Sequence, residues 1–126
     1  MSRNVKLNIK MQIPRMNCKN VSFDRMELVV PDGYSPVNEE EYKHHARFEW
    51  TPMIQEGTMR VRIDERTQFF DSNSDVIFCD EIPNLVGKDV TCIIELTSVY
   101  NFKERSGISI RAHQVKIYES ECLFEF

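Results

Sequence analysis

Residues 85–118 read LVGKDVTCIIELTSVYNFKERSGISIRAHQVKIY, and this stretch decides the fold class. It contains two runs rich in β-branched residues, 90–100 and 108–118. Between them lies a polar, basic stretch, 101–107, that closes on a glycine. Two such runs joined by a short glycine-containing connection predict a β-hairpin, with 101–107 as its loop.

The second run of this hairpin is predicted to have two unlike faces, because successive side chains of a strand point in opposite directions. The side chains expected to be buried are Ile108, Ile110, Ala112, Val115 and Ile117. Arg111 and His113 fall on the opposite face. The alternation slips one place at Gln114-Val115, which predicts a β-bulge. A strand of this kind can pack against a core with one face and bind an anionic ligand with the other.

Composition indicates one soluble domain spanning 1–126. The chain is 41% hydrophobic and 29% charged, which is ordinary for a globular protein. No run approaches transmembrane length. The first residues lack the apolar core of a signal peptide, so we expect an intracellular protein, cytoplasmic or nuclear, that is not secreted. The four cysteines form no CxxC pair, which argues against a zinc knuckle, and a reduced state is expected for them.

Further short strands are predicted along the rest of the chain, at 5–13, 21–30, 46–50, 58–63 and 76–79. Residues 31–34 and 71–75 have turn chemistry, and 35–43 is expected to be a loop with a helical turn near 39–44. The total is five to seven mostly antiparallel strands with at most a short helix. Such a pattern is typical of an all-β barrel or sandwich.

Catalytic and metal-binding constellations are not evident in the sequence. His44 and His45 are adjacent and lack a third ligand at a useful spacing, and the acidic run 39–41 is typical of a solvated face. The four glycines are not clustered, which argues against a phosphate cradle. We therefore expect no enzyme activity, no cofactor and no metal.

The remaining candidate function is binding of a ligand without catalysis. The net charge is −4, yet the basic residues concentrate near the N-terminus and in 83–117. Single-stranded nucleic acid is bound by a basic groove in which bases stack on aromatic rings. The candidate contact residues are Lys6, Lys10, Trp50, Arg60, Arg62, Tyr100, Phe102, Lys103, Arg105, Arg111 and His113. For Trp50 the alternative to stacking on a base is a place in the core.

The motif Leu85-Val-Gly-Lys88, the strand 90–96, the loop 101–107 and the strand up to Val115 resemble the OB-fold single-stranded DNA-binding proteins of phage and viral replication. The resemblance implies a small OB-like barrel whose last two strands are joined by a loop that closes over the nucleic acid. It assigns that role to Tyr100, Phe102, Lys103 and Arg105. It also implies that Arg111 and His113 line the groove.

The C-terminal segment 118–126 adds a weaker likeness, since several such proteins end in acidic residues and an aromatic that recruit replication enzymes. Here the segment is short and apolar enough to be a final strand instead. The expected partners are single-stranded DNA, with RNA left open, and replication proteins through 118–126. Assembly with further copies of the chain is also open, and no membrane partner is expected.

The sequence therefore predicts a protein that binds and protects single-stranded DNA, without strong sequence preference, during replication, recombination or repair. Two alternatives belong to other classes. One is a structural or adaptor β-sandwich that binds other proteins. The other is an accessory module of an enzyme, which would need a polar cluster that the sequence does not offer.

Overall fold

The computed structural model describes residues 4–118, apart from the side chain of Cys79. Most of the predicted C-terminal segment, 119–126, lies outside the described residues. Residues 4–118 contain one mixed sheet of ten strands. They are β1 (Val5–Gln12), β2 (Met16–Ser22), β3 (Arg25–Val29), β4 (Glu49–Trp50), β5 (Ile54–Gln55), β6 (Thr58–Arg62), β7 (Gln68–Phe70), β8 (Val76–Ile77), β9 (Asp89–Phe102) and β10 (Arg105–Tyr118). Three single-turn 3-10 helices are η1 (Glu39–Glu41), η2 (Lys43–His45) and η3 (Cys79–Glu81).

The hairpin that the sequence predicts is the central element of the fold. β9 and β10 are 14 residues each and pair antiparallel along their length. All five side chains expected to be buried in β10 are buried. The predicted bulge is also confirmed, since the register shifts between Ala112 and Gln114 and leaves His113 as the extra residue.

The connection between these strands is shorter than predicted. The stretch 101–107 is not a loop, because β9 runs to Phe102 and β10 starts at Arg105. Only Lys103 and Glu104 form the turn, with φ angles of 50° and 63°. Both angles are left-handed, as in the two-residue turns that match the twist of paired strands. Neither residue is a glycine or asparagine, so the usual sequence signal of this turn is missing.

A second correction concerns 21–30, for which the sequence predicts one strand. The chain reverses at Phe23 and Asp24, so that β2 and β3 form an antiparallel hairpin. The Ser22 hydroxyl donates to the Asp24 carboxylate at 3.0 Å across the turn. Again no glycine or proline marks the reversal.

The strand count also exceeds the five to seven expected, but six strands are five residues or longer and four are short pairings of two or three residues.

The strand pairings run round a ring. β9 pairs with β2, β2 with β3, β3 with β6, β6 with β10, and β10 with β9 again. Two joins are brief: β2 meets β9 over two residue pairs, and β6 meets β10 only where Arg62 stands opposite Arg111. The molecule is therefore a small all-β fold shaped like a barrel, with a partial ring of strands.

Along its other edge β10 is covered by three parallel partners in succession. β4 pairs with its start, β6 with its middle and β7 with its end. The core inside the ring is formed by fully buried side chains from at least four strands. Its largest members are Ile13, Met26, Leu28, Met59, Ile94, Leu96 and Ile117. Each such side chain contributes about 1.5–3 kcal/mol on leaving water.

Candidate nucleic-acid interface

A groove of about 340 Å³ runs over β3 and β6 to the part of the β9–β10 hairpin that lies near its turn. We call it the β3–β6 groove. Its lining residues are Lys19, Arg25, Glu27, Thr51, Pro52, Met53, Gln55, Glu56, Thr58, Arg60, Tyr100, Ile108 and Ile110. Register explains the placement of the charges, because Glu27 stands directly opposite Arg60 on the paired strand. Cross-strand partners project from the same side of a sheet, so these polar side chains share the outer face.

Cations outnumber carboxylates in this groove by three to two. The Arg60 Nε lies 3.4 Å from a Glu27 carboxylate oxygen, and the Arg25 Nε lies 3.5 Å from Asp24. Both pairs are solvent-accessible, and exposed pairs of this kind contribute only about 0–1 kcal/mol. Lys19 has no carboxylate partner within the described part of the chain. Arg25 and Arg60 can therefore exchange their carboxylates for an anionic ligand, and Lys19 can bind one directly.

Tyr100 lines one end of the groove, and a glycine on the neighbouring strand leaves room for its ring. Gly107 is the residue opposite Tyr100 on β10, and a β-carbon at Gly107 would lie 2.7 Å from the Tyr100 hydroxyl. The phenol ring therefore occupies the space that any other residue at 107 would need. The predicted role of Gly107 as a loop residue is wrong: its missing side chain permits close contact with an aromatic ring.

The hairpin turn presents an aromatic ring and two cations to solvent. Phe102 is 62% exposed, and Lys103 and Arg105 are both exposed. The Lys103 ammonium lies 5.3 Å from the centre of the Phe102 ring, within the range of a cation–π contact. Tyr100 and Phe102 together line a further hollow beside Asn4 and Asn101. Of the predicted set, the structure thus brings Tyr100, Phe102, Lys103 and Arg105 together at this end of the groove.

A buried polar cluster lies next to the turn of the hairpin. Asn101 and Ser106 face each other across β9 and β10, and the Ser106 hydroxyl donates to the Asn101 side-chain carbonyl. The backbone N–H of Arg47 donates to Asn101 at 2.8 Å, and that of Phe48 donates to the Ser106 hydroxyl at 3.0 Å. These bonds fasten the segment before β4 to the hairpin, and residues 51–53, which follow β4, line the groove.

Arg111 is a correction to the predicted site. Its side chain lies on the face of β10 opposite to that of Ile110, as alternation requires, but this side chain is only 4% exposed. The guanidinium donates to Asp64 at 2.8 Å and to Glu95 at 3.4 Å. The hydrogen bond from Arg111 holds the pKa of Asp64 well below its usual range, and that bond also raises the pKa of Arg111. Because Asp64 covers this part of the face, Arg111 is not presented to a solvent-borne anion.

The other predicted residues are dispersed. Lys6 and Lys10 are exposed on β1, which pairs with β9 and not with the strands that carry the groove. His113 is the half-buried extra residue of the bulge. Arg62 is exposed next to Arg25 across β3 and β6. None of these four residues lines the β3–β6 groove.

Trp50 lies next to the groove and not in it. It is half-buried against the core, and its indole N–H donates to Glu39 at 3.2 Å. The hollow that it lines shares Pro52 with the β3–β6 groove. Trp50 therefore packs in part against the core and borders a surface hollow, and its stacking on a base stays a prediction.

Sequence reasoning misses Lys19, Arg25 and Phe23. Lys19 and Arg25 line the groove only because 16–29 folds as a hairpin, whereas the sequence predicts one strand over 21–30. Phe23 sits at the tip of that hairpin and is 95% exposed. The signal that the sequence does contain is an apolar residue between Ser22 and Asp24, both of which favour turns.

Within residues 4–118 no three metal-ligating side chains come together. Cys18 and Cys92 are buried free thiols, and burial raises the pKa of Cys92 to about 12. Burial also raises the pKa of Cys18. Neither is therefore a thiolate at neutral pH. In that same part of the chain no helix is long and apolar enough to cross a membrane.

Comparison of the chain with protein-family models, with curated proteins and with solved structures gives no match.

Proposed function

We propose that this protein binds and protects single-stranded DNA through the β3–β6 groove, with Tyr100 and the β9–β10 turn at one end of it. The observation that carries the proposal is the coincidence of three cations and an aromatic ring in one open groove. Proteins that bind single strands without strong sequence preference combine these two features. Replication, recombination and repair are the processes that expose such strands.

The order of strands supports the proposal. If β1 and β2 are counted as one interrupted strand, the ring runs first, second, third, fifth, fourth and back to the first. OB-fold domains have that order, and they bind oligonucleotides on the second and third strands and on two loops. In this chain the corresponding strands are β3 and β6, which carry the groove. The corresponding loops are the β2–β3 turn with Phe23 and the β9–β10 turn with Phe102.

The chemistry of each group suits a single strand. Lys19, Arg25 and Arg60 would contact phosphates, and every phosphate is the same in all sequences. Tyr100 and Phe102 would stack on bases, at roughly 1–3 kcal/mol per base, and every base has a π face. Both kinds of contact are tolerant of sequence, so a protein with this surface coats strands and does not select sites.

The test is a titration of fluorescein-labelled oligo-dT at two salt concentrations, with wild type and the Lys19→Ala/Arg25→Ala variant. If each cation contacts one phosphate, the variant's slope of log affinity against log salt is shallower by about 1.4, at about 0.7 for each phosphate. The matched control is Lys43→Ala/Arg66→Ala, which removes two exposed cations outside the groove. Equal slopes in wild type and the groove variant would refute the proposal.

A further inference from the structure

Within the described part of the chain, β1 has one edge to which no other strand is bonded. Among residues 4–118, β9 is its only partner. The Ile13 N–H donates to the Cys92 carbonyl at 3.0 Å, and the register continues as Gln12 opposite Ile93 and Lys10 opposite Glu95. In antiparallel pairs the hydrogen-bonded residues alternate with residues whose backbone groups point away. The N–H and C=O groups of Lys10 and Gln12 therefore point to the open edge.

The side chains of β1 give this edge a defined character. Lys6 and Lys10 are exposed, and neither has a carboxylate partner within the described residues. Glu95, which stands opposite Lys10, is hydrogen-bonded to Arg111 instead. The inward-facing side chains of β1 are only half-buried: Val5, Leu7, Ile9 and Met11. An incoming strand would cover part of this apolar surface.

We propose that β1 binds an extended acidic segment of a partner protein by strand addition. The partner's backbone would pair with the groups of Lys10 and Gln12 that point outward, which is the way sheet edges capture peptides. Its carboxylates would meet Lys6 and Lys10, whose α-carbons are roughly 13 Å apart at about 3.3 Å per residue. Apolar side chains alternating with those carboxylates would pack on the half-buried face.

An acidic peptide fits this edge better than a nucleic acid or a second copy of the chain. A phosphodiester backbone lacks the alternating donors and acceptors that continue a sheet. Two copies of β1 would bring like charges together, because Lys6 and Lys10 are the charged residues of the strand. Opposed like charges across strands are destabilising. The complementary occupant is therefore an extended chain of negative charge.

The test measures binding of a short labelled peptide, in which glutamate alternates with valine, by fluorescence anisotropy. Gln12→Pro removes an outward N–H while leaving the charge of β1 and its bonds to β9 in place. We expect it to weaken peptide binding about three- to tenfold, the effect of removing one backbone hydrogen bond. Lys6→Ala/Lys10→Ala should weaken binding about fivefold or more, because two ion pairs with the peptide can no longer form. Thermal melts check that both variants fold, and the lysine variant keeps the test decisive if proline disturbs β1.

Several outcomes would overturn this inference. One is no binding of the acidic peptide, or equal binding of a peptide with lysine in place of glutamate. Another is peptide binding that the lysine substitutions leave unchanged. A third is sedimentation of wild type as a dimer that Gln12→Pro dissociates, which would make a second copy the occupant. Oligo-dT binding does not depend on this edge, so the test is independent of the β3–β6 groove.

Discussion

Arg111 shows how one side chain couples the strands of the barrel. It lies between Asp64, which follows β6, and Glu95, which belongs to β9. Strand alternation predicts correctly that Arg111 points away from Ile110. It does not reveal that the segment carrying Asp64 folds over that face, since this ion pair joins residues 47 positions apart. The same pattern of residues is therefore compatible with an exposed cation or with a buried ion pair.

Substitution Arg111→Ala should destabilise the fold by about 3 kcal/mol, because Asp64 and Glu95 would be left without their partner in a partly dehydrated setting. The expected value lies at the low end for buried pairs since both carboxylates keep some exposure. Urea denaturation measures the change. Arg62→Ala, an exposed cation on the neighbouring strand, should change the free energy of unfolding by less than about 0.5 kcal/mol. Equal effects of the two substitutions would contradict the structural role of Arg111.

The ion pair also predicts a pH dependence. Hydrogen bonding from Arg111 lowers the pKa of Asp64 in the folded state. A carboxyl with a depressed pKa contributes stability that is fully present above its unfolded pKa, about 3.9, and is lost as pH falls through the folded pKa. The stability advantage of wild type over Asp64→Asn should therefore be constant near neutrality and shrink below about pH 4. Paired denaturation curves over that range measure it. A constant difference down to the lowest pH would be contrary to expectation.

Tyr100 and Gly107 form a pair that a mutant cycle can separate. Gly107→Ala should displace the phenol ring, because a β-carbon would lie 2.7 Å from the hydroxyl. The ring can swing aside, so the domain should remain folded while oligo-dT binding falls. Tyr100→Ala should cost roughly 1–3 kcal/mol of binding if the ring stacks on a base. The double variant should bind no more weakly than Tyr100→Ala alone, and additive losses of affinity would show that Gly107 acts otherwise.

At the scale of elements, the sequence predicts strands better than it predicts the turns between them. The alternation in 5–13 and 58–63 places the strands β1 and β6 correctly, and their charged faces are exposed as expected. The turn at Phe23-Asp24 is not predicted, and the turn at Lys103-Glu104 is shorter than the predicted loop 101–107. Neither turn contains a glycine or asparagine. Lys103 and Glu104 both have left-handed φ angles, so the long strands β9 and β10 must hold this turn in shape.

Substitutions in the hairpin turn should weaken DNA binding while leaving the domain folded. Lys103→Ala/Arg105→Ala removes two exposed cations next to Phe102. We expect weaker oligo-dT binding at low salt, and a salt slope shallower by about 0.7 for each phosphate that the variant no longer neutralises. Circular dichroism melts should remain close to wild type because both side chains are in solvent. If affinity and slope are both unchanged, the turn is not part of the interface.

The polar cluster beneath this turn should matter for stability. Ser106→Ala removes the hydroxyl that accepts from the N–H of Phe48 and donates to Asn101. Leaving such groups without partners costs about 1–3 kcal/mol. Hydrogen exchange should accelerate at Arg47 and Phe48. Ser109→Ala, on the same strand but outside the cluster, is the control, and similar exchange in both variants would argue against the cluster as an anchor.

At the scale of the whole molecule, the pairings around the ring determine which surfaces meet. The fold class follows from the short alternating runs and their turns, so it is within reach of the sequence. The groove is not within reach of the sequence, because Lys19 and Arg60 come to line it only through the β2–β3 and β3–β6 pairings. Charge alone groups Lys6 and Lys10 with Arg60. The structure separates them, because β1 sits beside β9 at the other side of the ring.

The most direct test of the central claim is a map of the residues that contact a single strand. Titration of ¹⁵N-labelled protein with unlabelled oligo-dT would be followed by amide chemical shifts. The β3–β6 groove predicts the largest shifts near Lys19, Arg25, Arg60 and Tyr100, with small shifts along β1. Shifts concentrated on β1, or no shifts on adding the oligonucleotide at low salt, would contradict single-strand binding through this groove.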